Sequence, residues 1–448
     1  VAEPLQPHDP AGGRMRLTHR RVLNVAVPIV ISNATVPILG AVDTGVVGQM
    51  GLAAPIGAVG IGAIILTAIY WIFGFLRMGT AGLTAQAIGA RDQGEVCALL
   101  VRSLMIGLVA GVGFILFQVP VFSAAFLIAP ASPEVEGLAQ GYLAIRVWSA
   151  PAAIAIYGLT GWLIAHERTK AVLVLQIWMN GVNILLDLLF VLQLGWGVEG
   201  VAIATVIAEA SGLMLGLWLV RDGFTGRYWH NWAVVFDRAI LRRMALVNSD
   251  IMIRSVLLQI GFVSFLFLGS SFDDTTLAAN QVLIQFLFIT SYGMDGFAFA
   301  AEALIGQALG AKDRTSLRRS VMLTSFWAAV VIVILSVFFA FGGGWLIDLM
   351  AKAPAVQAAA RDYLFWMVLA PFLGGPSWML DGIFIGATRS RDMRNMMVVS
   401  FAIYLLSVWL LLGPFGNHGL WASLLIFFVA RGVTLAFRYP ALERGAED

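Results

Sequence analysis

The 448-residue sequence predicts an all-α polytopic membrane protein, with twelve transmembrane helices in two six-helix lobes related by a pseudo-two-fold axis along the membrane normal. Three observations predict this fold. Hydrophobic residues make up 60% of the chain and charged residues only 12%, about half the ~25% charged share of a soluble domain. The apolar residues fall into blocks of about 20, each long enough to cross ~30 Å of hydrocarbon as a helix; a transmembrane β-barrel would instead show alternating segments of about ten. Finally, "QAIGARD" at 86–92 returns as "QALGAKD" at 307–313, an offset of 221.

The spans are expected near 23–46, 54–77, 97–119, 140–163, 171–193, 200–220, 245–268, 278–303, 320–341, 362–384, 395–412 and 418–437. Every other joint between them is basic. Arg14, Arg16, Arg20 and Arg21 precede the first span, Arg91 follows the second, and Arg168 and Lys170 follow the fourth. Arg221, Arg227, Arg238, Arg242 and Arg243 lie between the sixth and seventh. Lys312, Arg314, Arg318 and Arg319 follow the eighth, and Arg389, Arg391 and Arg394 the tenth. The alternate joints, such as "APASPEVE" and "SSFDDTT", are neutral or acidic, with Lys352 and Arg361 the exceptions. Cationic loops stay on the cytoplasmic side, so both termini are expected in the cytoplasm of a cell or inner-membrane protein. An even number of spans requires that both termini share a side.

The 221-residue offset recurs at Tyr142/Tyr363, Gly161/Gly382, Arg168/Arg389 and Lys170/Arg391. The chain therefore reads as a duplication: a disordered cytoplasmic tail (1–22), an N-lobe (23–220), a cytoplasmic linker (221–244), a C-lobe (245–437) and a short C-terminal tail (438–448). Two like-oriented six-helix halves are the architecture of two-lobed transporters, with the substrate path between lobes.

Ionisable residues inside spans are costly and mark function by default. Asp43 is the only ionisable side chain between Val25 and Val47, in "VPILGAVDTGVVG". Desolvation penalises its ionised form, which suits a group that gains and loses a proton. The alternative is a structural acid bonded to backbone groups that Pro37 leaves free. Asn183 and Asp187 are four apart, on one helix face. Two buried carboxyls in one lobe suggest a shared site that holds a proton between them; for Asn183 the alternative is helix–helix hydrogen bonding.

The second half carries Asp250, Asp295, Glu302 and Asp381. At the 221 offset the last three map to Gly74, Ala81 and Thr160, so these acids are not shared scaffold. Asp250 and Arg254, four apart, are expected to form a structural ion pair. Asp295, Glu302 and Asp381 are candidates for a substrate cleft or second ion site, with Glu302 alternatively reaching water at its helix end. His166 and His418 are expected in loops, solvated or capping.

Several stretches resemble the multidrug and toxic compound extrusion (MATE) family: "GAVDTGVVGQMG" ending the first span and the repeated "QA-[IL]-GA-[RK]-D". "NSDIMIRSVLLQ" (248–259), "SYGMDGFAFAAEALIGQALGAKD" (291–313), "DGIFIGATRSRDMRN" (381–395) and "GNHGLWASLLIFFVARG" (416–432) are similar to its DinF-like branch. The resemblance covers essentially all twelve spans. It implies a V-shaped fold of two six-helix lobes and export of organic cations or lipophilic compounds in exchange for H⁺ or Na⁺. It also implies a cation site at Asp43, Asn183, Asp187 and Thr205, the last supplying a hydroxyl. Some relatives carry a tyrosine one turn before the first aspartate, where this chain has Leu39.

The remaining classes fare worse. A net charge of +2 offers nothing to nucleic acid. A single cysteine, Cys97, cannot form an internal disulfide or by itself a thiolate metal site, and no His/Cys cluster has metal-ligand spacing. No phosphate-binding loop points to ATP, and no paired His or HExxH points to an intramembrane enzyme. The loop "GARDQGEV" lacks the paired basic residues of the major facilitators. A lipid or lipid-linked glycan flippase would want basic residues in the cleft, and the spans hold few, chiefly Arg146 and Arg254. The sequence thus reads as a monomeric secondary exporter of small cationic or lipophilic molecules in a lipid bilayer, without cofactor, coupled to H⁺ with Na⁺ as the alternative.

Overall fold

A computed structural model describes residues 17–49, 53–128, 132–225 and 228–445. Within them the regular structure is entirely helical. Arg14, Arg16 and Arg227 lie outside the described residues, as does most of the expected N-terminal tail. The helices of the first half are α1 (His19–Gly48), α2 (Ala53–Ile72), α3 (Gly74–Gly89), α4 (Gln93–Leu116), α5 (Gln118–Ile128), α6 (Pro133–Arg146), α7 (Ala150–Ala165), α8 (Thr169–Asp187) and α9 (Gly197–Leu219). After the short α10 (Trp232–Val235) come α11 (Arg238–Gly269), α12 (Asp274–Gly310), α13 (Arg314–Met350), α14 (Pro354–Gly386) and α15 (Ser390–Arg444).

Eleven helical stretches among the described residues are long and apolar enough to cross a membrane. The eleventh accounts for two of the expected spans. In α15 the backbone leaves helical geometry at Gly416, with φ of 53°, just after Pro414. The left-handed conformation costs glycine nothing, and the break lets Asn417 face Asn280, with which it exchanges amide hydrogen bonds of 2.7 and 2.9 Å. Two pairs of shorter elements merge in the other direction: α2 with α3, and α6 with α7, each form one stretch long and apolar enough to cross. The expected tail and linker were drawn too long. Residues 19–22 already belong to α1 and 238–244 to α11, because their charged side chains extend an apolar helix into water without interrupting its hydrogen bonds.

The duplication extends to the backbone. Among the described residues, the non-glycine residues with positive φ are Arg91 (59°), Glu167 (57°), Lys312 (53°) and Thr388 (50°), two pairs at the same 221 offset. After the first pair, Asp92 and Asp313 cap the following helices, accepting from Glu95 N and Ser316 N, each at 3.0 Å. His166 caps the end of α7, its Nδ1 2.8 Å from Trp162 O and its ring centroid 3.7 Å from that of Trp162, tilted by 35°. Burial pushes this imidazole down to about 4, well below its ordinary 6.5, which favours its neutral form.

Contacts divide the chain into two compact units. One holds Ile31–Thr84 and Asp92–Arg242; the other holds Arg243 onward, the chain up to Val30, and Ala85–Arg91. The expected N-lobe therefore gives up two pieces, and the packing inside the second unit shows why. A Cβ on Gly89 would lie 2.0 Å from the Gln307 carbonyl oxygen, and one on Gly310 would lie 2.0 Å from that of Gln86. These contacts are reciprocal at the 221 offset: the two repeated motifs cross backbone to backbone, and only glycine permits the approach. Gln86 Nε2 also donates to Gly386 O (3.2 Å) and Thr388 Oγ1 (3.0 Å). Arg243 donates to Gln86 Oε1 (2.9 Å) and Arg21 to Gln307 Oε1 (3.3 Å). A methyl group at Gly89 or Gly310 is expected to cost about 1–3 kcal/mol or more by overpacking, lowering membrane levels and the detergent melting temperature. Gly113→Ala, where a Cβ meets nothing within 4 Å, is the control expected to be neutral.

Candidate functional site

In the first unit, α8 presents Gln176, Asn180, Asn183 and Asp187 along one face at helical spacing, toward α1. Gln176 Nε2 donates to Asn180 Oδ1 (2.9 Å), and Asn180 Nδ2 donates to Thr35 Oγ1 (2.8 Å). One helix turn further, the Asn183 amide reaches two acids: Nδ2 lies 3.2 Å from Asp43 Oδ1 and 2.5 Å from Asp187 Oδ2. Asn183 and Asp187 are 1% and 0% exposed, whereas Asp43 is half-buried. Asn183 Oδ1 and Asp187 Oδ1 are buried without a hydrogen-bond partner. A π-helical turn, Leu188–Gln193, begins immediately after Asp187; such turns concentrate at functional positions.

Three of the four residues expected here thus come together. Thr205 does not join them: its hydroxyl donates to Val201 O at 3.0 Å, within its own helix. The sequence reading passed over Thr35 and Gln176, although their spacing from Asn180 and Asp43 was visible.

The equivalent place in the second half is built from neutral groups. At the 221 offset Asp43 maps to Ser264 and Asn183 to Tyr404. Their hydroxyls are hydrogen-bonded at 2.9 Å, so the contact is duplicated and its charge is not.

The second-half acids are organised differently from expectation. Asp250 and Arg254 do not pair with each other. Asp250 accepts from Arg394 Nη1 at 2.5 Å and from Ser390 Oγ at 3.0 Å. Arg254 Nη2 donates to Asp381 Oδ2 at 2.5 Å, and Arg431 Nη2 donates to the same oxygen. Asp250 thus finds its partners on α15 and Arg254 finds its carboxylate on α14. Asp381, a candidate for the cleft, is buried between these two arginines. Glu302 does not reach water: it is 1% exposed, because α12 and α14 approach closely enough that a Cβ on Gly386 would lie 2.5 Å from Glu302 O. Asp295 is half-buried on the same helix.

Buried basic residues are also more numerous than Arg146 and Arg254. Arg77, Arg102 and Arg431 are buried as well. Arg102 is an anchor: it donates Nε to Val235 O (2.7 Å), Nη2 to Val234 O and Nη1 to Glu95 (2.7 Å), tying α10 to α4. Arg146 forms a two-pronged ion pair with Glu209, an acid the sequence reading did not single out.

The MatE family model matches this chain twice, over residues 28–189 and 251–410. The chain belongs to the MatE family. It is 38% identical over 423 residues to the DNA damage-inducible protein F of Escherichia coli K12, covering 92% of this chain and 90% of that protein. It is 23% identical over 459 residues to a probable multidrug resistance protein NorM of Agrobacterium fabrum, covering 97% and 96%. Among solved structures, the Vibrio cholerae MATE transporter VcmN in its bent form superposes with a TM-score of 0.85 at 20% identity, covering 96% of this chain and 97% of that one. The family is one of transporters, and this MatE protein is a multi-pass membrane transporter rather than an enzyme.

Proposed function

We propose that the protein is a secondary multidrug exporter that antiports organic cations or lipophilic compounds against H⁺ by alternating access. The observation that carries this reading is the pair of acids sharing one amide donor inside one unit. Two carboxyls this close cannot both ionise cheaply, and they titrate as a pair. They can therefore hold and release a proton without a metal or cofactor. The neutral Ser264–Tyr404 contact at the equivalent place supports assigning that chemistry to the first unit.

In this reading the proton enters from outside at Asp43, the half-buried member, and the membrane potential adds about 2.3 kcal/mol per charge per 100 mV. Asp295 lines the substrate path, Asp381 serves structure, and both termini face the cytoplasm of the inner membrane. The related proteins named for multidrug resistance support an exporter over a flippase. So does the engagement of Arg146, Arg254 and Arg431 with carboxylates, which leaves those carboxylates competing with an anionic headgroup.

The test is efflux of a fluorescent lipophilic cation from liposomes holding the purified protein, with pH and sodium gradients imposed separately. The expected result is efflux driven by an inward proton gradient and indifferent to sodium. Transport driven by sodium alone would overturn proton coupling, and absence of efflux of any cationic or lipophilic probe would overturn the exporter reading.

A further inference from the structure

The Arg146–Glu209 pair has no part in the site as described, yet it stands beside it. Arg146 ends α6, where the chain passes into a short 3₁₀ turn, Val147–Ser149. Its Nη1 donates to Glu209 Oε2 (2.9 Å) and Ser149 Oγ (3.0 Å), and its Nη2 to Glu209 Oε1 (3.3 Å). The guanidinium is not saturated: Nε is buried with no hydrogen-bond partner. Arg146 and Asp43 interact electrostatically, and the Tyr142 hydroxyl lies within range of Arg146, Asp43 and Glu209 together.

Simple scaffolding does not require this pair. At the 221 offset Arg146 maps to Met367 and Glu209 to Ala430, and both of those are buried. The second half thus fills the same place with apolar side chains, as buried ion pairs generally can be replaced. The half that holds the carboxyl pair is the half that holds the ion pair.

We propose that Arg146 is the counter-charge of the Asp43–Asp187 pair, a positioning residue that Glu209 holds in reserve while the acids keep their proton. When the proton leaves to water, the acids gain one negative charge. The guanidinium then turns from Glu209 toward Asp43, using the Nε that has no hydrogen-bond partner. No bond other than the carboxyl O–H breaks, and the charge of the cluster changes by the one proton released. The inference rests on the reading of Asp43 and Asp187 as the proton carriers. The groups facing that pair are Asn183 on α8 and Arg146 and Tyr142 on α6; Glu209 on α9 faces Arg146 and Tyr142. Tyr70 on α2 faces Arg146 and Glu209. Tyr157 on α7 interacts with Glu209 and with Arg77 on α3.

The experiment is the pH profile of proton-driven efflux in liposomes for Arg146→Gln, Glu209→Gln and the double variant R146M/E209A, with D43N in parallel. Removing the cation makes the acids hold their proton more tightly, so R146Q is expected to raise the pH midpoint by about one unit. Removing the Glu209 charge frees the cation, so E209Q is expected to lower it by a similar amount. A purely structural ion pair would lower protein levels in both variants without moving the midpoints in opposite directions. Unmoved midpoints, or shifts of the same sign, overturn the proposal. Where neither single variant reaches the membrane, the double decides, since it carries the residues the second half already accommodates. A fall in turnover of about tenfold at unchanged KM supports the proposal, and wild-type coupled turnover overturns it. If D43N itself still couples efflux to protons, it is the carrier reading that falls; if D43N is uncoupled while the midpoints stay put, only the role of Arg146 falls.

Discussion

Asp43→Asn is expected to abolish proton-driven efflux, by at least about a hundredfold, while leaving the protein folded and able to bind substrate. The substitution keeps the side chain's size and the carbonyl oxygen that accepts from Asn183 Nδ2 at 3.2 Å. It removes the ability to carry a charge, so the pair loses the half-buried member through which a proton would enter. Asp187→Asn is expected to be equally uncoupled, because the same amide joins both acids and they act as one titrating unit. Ser264→Ala, at the equivalent neutral contact, is expected to leave coupling intact. Efflux in liposomes under an imposed pH gradient, beside equilibrium binding of the same fluorescent cation, separates the two activities. Full pH-driven efflux by D43N would reduce Asp43 to a hydrogen-bonded structural acid near Pro37.

Much of this architecture was legible in the sequence, and for definite reasons. Spans follow from the ~20-residue length of apolar blocks, and the repeat follows from a seven-residue motif, identical at five positions, that returns at a fixed offset. The structure adds that even the left-handed residues, Arg91 with Lys312 and Glu167 with Thr388, keep that offset. What one-dimensional spacing could not supply was the partner of each charge. Asp250 and Arg254 share a helix face, and spacing alone therefore paired them; which neighbouring helix each meets depends on packing. Arg394 and Asp381, the true partners, lie 144 and 127 positions on from Asp250 and Arg254. Glu209 was overlooked for the same reason: its importance is visible only when Arg146, 63 residues earlier, is placed against it. Asn183 and Asp187 were found because both lie on one helix, and Asp43 because no other charge competes with it along its span.

The division into units was also hidden, and it bears on mechanism. The seven residues Ala85–Arg91 belong by sequence to the first half and by contacts to the second unit. Gly89 and Gly310 hold them there by a backbone crossing that hydrophobicity does not encode. The helix that carries Asp43 is divided likewise: α1 contributes residues through Val30 to one unit and from Ile31 to the other. Pro28 and Pro37 flank that boundary, where a helix most readily bends.

Asp381→Asn is expected to have the largest effect on stability. Arg254 and Arg431 are 4% and 2% exposed, and both donate to the same Asp381 oxygen. Neutralising that carboxylate leaves two guanidiniums facing each other in an apolar interior. Removing one partner of a buried ion pair typically costs about 3–5 kcal/mol, and here one carboxylate serves two cations. Arg431 has little else to turn to: its Nε and Nη1 are buried without hydrogen-bond partners, and its nearest aromatic faces, Phe427 and Phe428, lie 5.8 and 5.9 Å away. The variant is therefore expected to be nearly absent from the membrane, or to melt far below the wild type in detergent. The first half shows what a charge-free version looks like, with Asn33, Thr160 and Ala210 at the equivalent positions. The triple variant R254N/D381T/R431A should accordingly recover most of the level that D381N loses. Normal levels and melting for D381N would show that the cluster tolerates a missing carboxylate, and would return Asp381 to the candidates for ion or substrate binding. Recovery in the triple variant together with unchanged proton-driven efflux would instead place the cluster wholly in the scaffold, leaving the coupling chemistry to the acids of the first half.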